Sequence, residues 1–468
     1  MGITVPYRFQ LDDVRSMHRW NGRALYAADM GLGKTLVSLL YAYRHPEIRP
    51  IVIVCPATIK WSWQLQATQH IGMRSEVLEG TKPKERGFPT EAPMYIVNYD
   101  ILGKTRNGPG WINWLKRQKP KLVVLDEIHM IGEPKSLRSK ACEQLCEGVP
   151  HVIGLSGTPL INRPIELWFP LHIIKPELFP SRWSFCQEFC DPKRTFYGWD
   201  FRGASNLEEL NVILIDPKNG VMLRRKKEDV LPQLPRRQRT MVPIDISDRS
   251  QYNKAVNDFM GWLHEHAPDK MHKAIRAKAL VHLGYLKRLI GELKLRSEIA
   301  WLNNFLVESE EKLIVFAIHK KVIQKLKQEY QEICVVVDGS VTGKNRQLAV
   351  EKFLKDSSTR LMFGNIDAAG VGWSAKGVSK TAFAEYPWAP GKIEQAIDRT
   401  HGLGRGVKGM RSQTFFLVAK NTIEEKLLAL LQRKARNISI VLDGGKMVDQ
   451  FNIHDLLIEE LQKGDYNG

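Results

Sequence analysis

Ten short, unbroken apolar runs constrain this chain more than any other feature. The first five are "ALYAAD", "IVIVCP", "MYIVNYD", "KLVVLDE" and "HVIGLSGTP". The second five are "KLIVFAIHK", "ICVVVDGS", "RLMFGNIDAAGVGW", "KTAFAEYPW" and "TFFLVAKN". A strand that is apolar on both sides is buried on both faces, as happens in a parallel sheet covered by helices. Helix-like stretches separate the runs. The expected class is therefore α/β, with two parallel sheets flanked by helices. Each run ends in polar or Gly/Pro residues, at the strand ends where the ligand sites of such sheets collect.

Composition changes between the two series. Residues 163–240 are rich in aromatic and basic residues, with "FPSRWSFCQEFCDPKRTFYGWDFRG" and "LRRKKEDVLPQLPRRQR". They read as a helical insertion followed by a basic linker. Residues 250–310 look helical and contain no strand run. The expected organisation is a first lobe over 1–162, completed by the insertion and linker at 163–240. A helical insertion at 241–310, a second lobe at 311–445 and a tail at 446–468 follow.

The chain has 468 residues, enough for two or three cores. Lysine and arginine outnumber acids 69 to 51, for a net charge of +18. That excess favours a polyanionic partner, most simply nucleic acid. No run of 18 apolar residues suggests a membrane helix. The start lacks a basic region followed by an apolar stretch, so no signal peptide is evident. The six cysteines do not read as a disulfide set in so large a chain. The pairs Cys142/Cys146 and Cys186/Cys190 have a helix-face spacing, and read as thiols before they read as zinc ligands. The implied setting is intracellular, either cytoplasm and nucleoid or nucleus.

"AADMGLGKT" follows a strand-like run and precedes the helix-like "LVSLLYAY". A glycine loop at such a junction aims backbone N–H groups and a helix N-terminus at phosphates. Lys34 would pair with the β/γ-phosphates and Thr35 would hold Mg²⁺. Gly31 and Gly33 remain of the phosphate-loop pattern, while Ala28 stands where its first glycine belongs. In "KLVVLDEIH", Asp126 and Glu127 fall at the end of a strand. Asp126 would bind Mg²⁺ through water, and Glu127 would orient and deprotonate the attacking water. In "LSGTP", Ser156 and Thr158 are small hydroxyl residues able to link the nucleotide site to a neighbouring domain.

The ordered series "YRFQ", "DMGLGKT", "CPATIKWSWQ", "DEIH", "LSGTP", "GNIDAAGVGW" and "QAIDRTHG" resembles the superfamily-two helicase-like ATPases. Within these it is similar to the Swi/Snf-type double-stranded DNA translocases. "NYD", "GTPLINRPIELW", "LRRKKEDVLPQLP" and "EEKLLALLQRKARNISIVLDGG" support that likeness. The stretch from Lys175 to Leu210 resembles the fork-remodelling, strand-annealing branch. The resemblance covers roughly residues 5–445. It implies two RecA-like P-loop lobes with ATP between them. Gln10 would read the adenine edge, and Asn365, Asp367, Gly370 and Gly372 would couple DNA contact to ATP. Gln395 and Arg399 would face ATP from the second lobe, followed by a second arginine three residues on.

Position 402, where that second arginine belongs, is glycine. An arginine finger can supply ~10³–10⁵ in rate. Arg405 could substitute, Arg399 could suffice alone, or the motor could be slow or inactivated. Ile128 is a lesser departure, in a motif where a small residue is usual. Lys60, Arg163, Lys344 and Arg346 are candidate DNA-backbone contacts, since a motor must grip phosphates without reading sequence. Arg224 and Arg225 either brace the lobes or touch DNA. Trp61 and Trp63 read as core packing before base stacking.

The expected function is an ATP- and Mg²⁺-dependent motor that walks on duplex or forked DNA. It would remodel that DNA or anneal its strands. The chain reads as a minimal motor of bacterial or phage-like kind without added recruiting domains. A strand-separating helicase is a second reading, but it needs a wedge and none is evident. A weakly hydrolysing, ATP-responsive DNA clamp is a third, motivated by Gly402.

Overall fold

The computed structural model describes residues 5–83, 92–196, 198–230, 238–266, 273–338, 341, 343–366, 378–398 and 413–444. The chain divides into two compact units. Unit 1 takes Met1–Gln233 with Asn437–Phe451, and unit 2 takes Leu234–Arg436 with Asn452–Gly468.

Unit 1 is built on a seven-stranded parallel sheet. Its strands are β1 (Arg23–Ala28), β2 (Ile51–Cys55), β3 (Glu76–Val77), β4 (Met94–Asn98), β5 (Leu122–Asp126), β6 (His151–Leu155) and β9 (Met222–Arg225). The order across the sheet is β3-β4-β2-β5-β6-β1-β9. All five apolar runs of the first series lie in it, and β2, β4 and β5 are buried at every position. β9 was concealed in the sequence, because "LRR" reads as basic linker. A separate antiparallel hairpin, β7 (Lys193–Thr195) and β8 (Gly198–Asp200), stands in the stretch expected to be helical.

Unit 2 holds a six-stranded parallel sheet in the order β10-β15-β14-β11-β13-β12. These strands are β10 (Gln238–Ile244), β11 (Leu313–Ala317), β12 (Cys334–Val337), β13 (Leu361–Asn365), β14 (Lys380–Phe383) and β15 (Gln413–Ala419). Ile314 and Phe316 pack into one apolar cluster, while Leu313, Val315 and Ala317 pack into another. Both faces of the sheet are therefore buried, which is why the run is unbroken rather than alternating. β10 carries Pro243, tolerable because the strand lies at the sheet edge.

The division departs from the sequence-based boundaries at two places. Residues 238–240, expected in the linker of the first lobe, pair with β15 in unit 2. The end of helix Ile423–Asp443 belongs to unit 1, where Asn211 Nδ2 donates to the Val441 carbonyl at 2.7 Å. Cys142, Cys146, Cys186 and Cys190 are all buried in the core of unit 1. Among the described residues no helix is long and apolar enough to cross a membrane.

Candidate active site

The order β5-β6-β1 puts three strand ends side by side. Register makes this concrete, since Leu155 of β6 pairs with Asp126 on one side and Tyr26 on the other. The segments that leave these strands are 29–33, 127–131 and 156–158. Ligands of α/β sheets bind at such carboxyl ends.

The first segment turns the chain into helix α2 (Lys34–Arg44). Gly31 (φ 89°) and Gly33 (φ 79°) are both left-handed, a conformation that side-chain-bearing residues rarely adopt. Gly33 also has no room, as a Cβ there would lie 2.5 Å from Gln10 Nε2. Gln10 sits buried in helix α1 (Arg8–Arg19) and closes on this loop. Its Nε2 donates to the Leu32 carbonyl at 2.9 Å, and its Oε1 accepts from the Tyr7 N–H at 2.9 Å. Lys34 Nζ donates to the Ala28 carbonyl at 2.9 Å. A Cβ on Gly157 would lie 3.3 Å from that ammonium. The glycine of "LSGTP" thus leaves space beside the lysine.

Asp126 is buried at the end of β5. It accepts from Trp63 Nε1 at 2.8 Å and from the Glu127 N–H at 3.0 Å. Burial pushes its carboxyl up to about 7, with the Glu127 charge adding to the rise. The Trp63 indole and the Lys34 cation oppose the shift. Tyr99 of "NYD" donates to the Asp126 carbonyl at 2.8 Å, pinning the strand end. Glu127 is left-handed (φ 54°, ψ 50°), unusual for a residue with a side chain. This conformation breaks off β5 and starts the helical turn Ile128–Ile131. Ile128 fits because β6 offers Gly154, where a Cβ would come within 2.6 Å of Ile128 Cδ1. The glycine accommodates the departure noted in the motif.

His129 ties two of the segments together. Its Nδ1 lies 3.0 Å from Ser156 Oγ and 3.4 Å from Glu127 Oε2. Burial, helped by the Lys34 charge, lowers its pKa to about 4, so the ring is neutral near pH 7. Ser156 Oγ in turn accepts from the Thr158 N–H at 3.1 Å. His129 thus joins the segment after β5 to the "SGT" turn through Ser156, with Glu127 Oε2 close by.

Residues 14–298 match the SNF2-related domain, and residues 297–404 match the helicase conserved C-terminal domain. The chain belongs to the SNF2-related family. A Xenopus laevis relative, "SWI/SNF-related matrix-associated actin-dependent regulator of chromatin subfamily A-like protein 1", is 30% identical over 433 residues, covering 92% of this chain and 43% of its own length. The human "DNA annealing helicase and endonuclease ZRANB3" is 30% identical over 455 residues, covering 94% of this chain and 40% of its own length. The chain spans less than half the length of these curated relatives.

Within this SNF2-related chain, Gln10, Gly31, Gly33, Lys34, Thr35, Asp126, Glu127, Ser156 and Thr158 all lie on the loops and helix starts that follow β1, β5 and β6, or pack against them. Gln395 is buried in helix Pro390–Asp398 of unit 2, and Asn365 Nδ2 donates to the Ile318 carbonyl at 2.7 Å. Asp367, Gly370, Gly372, Arg399, Gly402 and Arg405 lie outside the described residues, as does the side chain of Lys344.

Two of the candidate DNA contacts require correction. Lys60 is buried and its Nζ donates to the Leu78 carbonyl at 2.9 Å. Arg346 is buried and its Nε donates to the Val341 carbonyl at 3.0 Å. Both groups are occupied inside the fold, where a phosphate cannot reach them without displacing those bonds. Arg163 is half-buried ahead of helix Ile165–Ile174.

Arg224 and Arg225 turn out to brace unit 1. Arg224 pairs with Asp29 at 3.0 Å and with Asp443 at 2.7 Å. Arg225 pairs at 2.6 Å with Asp13, which also accepts from the Tyr26 hydroxyl at 2.7 Å. The start of the phosphate loop is thereby tied to α1, β9 and the end of helix Ile423–Asp443.

The two tryptophans part company. Trp61 is 56% exposed, which corrects its reading as core. Trp63 is 1% exposed and holds Asp126, a role that its apolar reading concealed. His129 is the other functional residue that was missed, its signal being its place two residues after Glu127. Trp63→Phe removes one donor from a buried carboxylate, a loss of about 1–3 kcal/mol. Denaturant titration should show that loss, and ATP turnover should fall with it. Trp61→Phe, at the surface, should stay within about 0.5 kcal/mol of the parent.

Proposed function

We propose that this chain is an ATP-dependent motor that binds and translocates on duplex or forked DNA, coupling hydrolysis to DNA remodelling or strand annealing. The observation that carries the reading is the convergence of a glycine phosphate loop, Lys34 and the Asp126–Glu127 pair at neighbouring strand ends. The excess of 18 positive charges supports a nucleic-acid track. The names of the relatives, one a DNA annealing helicase, support DNA remodelling.

Each role follows from local chemistry. Lys34 exchanges its bond to the Ala28 carbonyl for the β/γ-phosphates of ATP. Backbone N–H groups of the loop and the start of α2 receive the remaining phosphate charge. Glu127 orients the attacking water and accepts its proton. The residues fit Mg²⁺, because Asp126 is a buried carboxylate beside a second acid and Thr35 adds a hard oxygen in the first turn of α2. When bound there, Mg²⁺ supplies neutralisation of the phosphate charge.

ATP turnover measured without DNA, with single strands, with duplex and with forked DNA tests this reading. Duplex and forked DNA should stimulate turnover, and single strands should do so less. Equal rates in all four reactions would contradict it.

A second reading, a clamp that hydrolyses slowly, is favoured by Gly402. Gly402→Arg should raise DNA-stimulated turnover at least ~10-fold if the finger is absent, a gain of ~1.4 kcal/mol. If Arg405 fills the role, that change brings no gain and Arg405→Ala collapses the rate. No effect of either substitution leaves Arg399 acting alone.

A further inference from the structure

Unit 2 holds a buried carboxylate, Glu385, just past the end of β14. The sheet order β14-β11-β13 brings three strand ends together there. Glu385 Oε2 accepts from the Ile318 N–H at 2.7 Å and from the His319 N–H at 2.8 Å, both at the exit of β11. Its Oε1 lies 2.5 Å from His319 Nδ1. The Ile318 carbonyl in turn accepts from Asn365 Nδ2, at the end of β13. Burial alone would raise this carboxyl, yet the His319 ring and the two N–H groups hold it below the usual carboxylate range. It therefore stays charged, and bonds to a charged acceptor are the stronger kind.

Helix Lys273–Leu293 grips the same exit. A Cβ at Gly291 would collide with Glu385 Oε1 and lie 3.2 Å from its Cδ. Alanine is the better helix former, so this glycine is explained by the carboxylate it admits. One turn earlier, the Lys287 ammonium lies 4.6 Å from the centre of the Trp388 ring. Just past the helix, the Lys294 ammonium lies 5.2 Å from the centre of the Tyr386 ring. The segment 385–388 is thus held along its length. It leads directly into helix Pro390–Asp398, where Gln395 is buried.

We propose that Glu385 is a positioning residue for DNA-stimulated ATP turnover: it locks the exits of β11, β13 and β14 to one another, so that Asn365 and the helix carrying Gln395 are presented in one fixed relation. The family resemblance expects Asn365 to couple DNA contact to ATP and Gln395 to face the nucleotide. Glu385 touches no reacting atom and acts through Ile318, His319 and the chain that follows it. Functional side chains keep their geometry only when such supports hold the elements that carry them. The proposal rests on the motor reading above and adds the residue that keeps two of its parts in register.

The test measures nucleotide affinity, and ATP turnover with and without duplex DNA, on full chains whose folding is followed by thermal melting. Glu385→Ala should bind nucleotide as the parent does, because the phosphate loop and Lys34 lie in unit 1. It should lose at least ~10-fold in duplex-stimulated turnover, within the ~10² that a misplacement of about 1 Å can cost. Glu385→Gln should recover most of that rate, since its amide oxygen still accepts from the Ile318 and His319 N–H groups. Gly291→Ala keeps the carboxylate but displaces it, and should also lose rate. Alanine at both positions should be no worse than Glu385→Ala alone, because the two substitutions break one contact. A lower melting temperature with parental duplex-stimulated turnover makes Glu385 a structural residue only and overturns the proposal, while the motor reading stands. Should Glu385→Ala fail to fold, Gly291→Ala decides in the same way. Parent turnover that duplex does not raise contradicts the motor reading and the proposal together.

Discussion

Glu127→Gln is expected to keep ATP binding and to lower turnover by ~10²–10⁴-fold, the usual contribution of a positioned general base. The amide keeps the size of the side chain and the left-handed turn that carries it (φ 54°). It cannot take a proton from water. Binding survives because the phosphate loop, Lys34 and Gln10 are untouched. Nucleotide affinity and single-turnover hydrolysis, measured on one preparation, separate the two effects. Hydrolysis at the parent rate would remove Glu127 from the role of base.

Lys34→Ala should behave differently, because it withdraws the cation from ground state and transition state alike. Loss of one preorganised charged donor costs ~10²–10³ in rate, and here nucleotide affinity falls as well. The same substitution leaves the Ala28 carbonyl without its 2.9 Å partner and removes the positive charge that opposes the upward shift of Asp126. The ATP-dependent activity should therefore disappear. A variant that binds ATP as tightly as the parent would show that the phosphates lie elsewhere.

Much of this site was legible because strand ends are punctuated. "DMGLGKT", "DEIH" and "LSGTP" each follow an apolar run, and parallel order brings β1, β6 and β5 together. The residues that were missed act through contacts distant in sequence. Trp63 reads as apolar, yet its indole N–H reaches Asp126, 63 positions away. His129 is meaningful only once β6 has delivered Ser156 beside it. Lys60 and Arg346 were read as DNA-backbone contacts, but their long stems lie inside the fold and their heads find backbone carbonyls. β9 and β10 were hidden in basic, mixed-polarity segments, since sheet edges need no continuous apolar run. The β7–β8 hairpin escaped because its strands are only three residues each, too short to show an alternating pattern.

Movement along duplex is the central claim, and displacement of a third strand tests it most directly. A triplex-forming oligonucleotide bound to one stretch of an otherwise uninterrupted duplex blocks the track without offering a strand to unwind. The account predicts its release in the presence of ATP and Mg²⁺, with no release by Glu127→Gln. ATP turnover stimulated by that duplex while the third strand stays bound would contradict it.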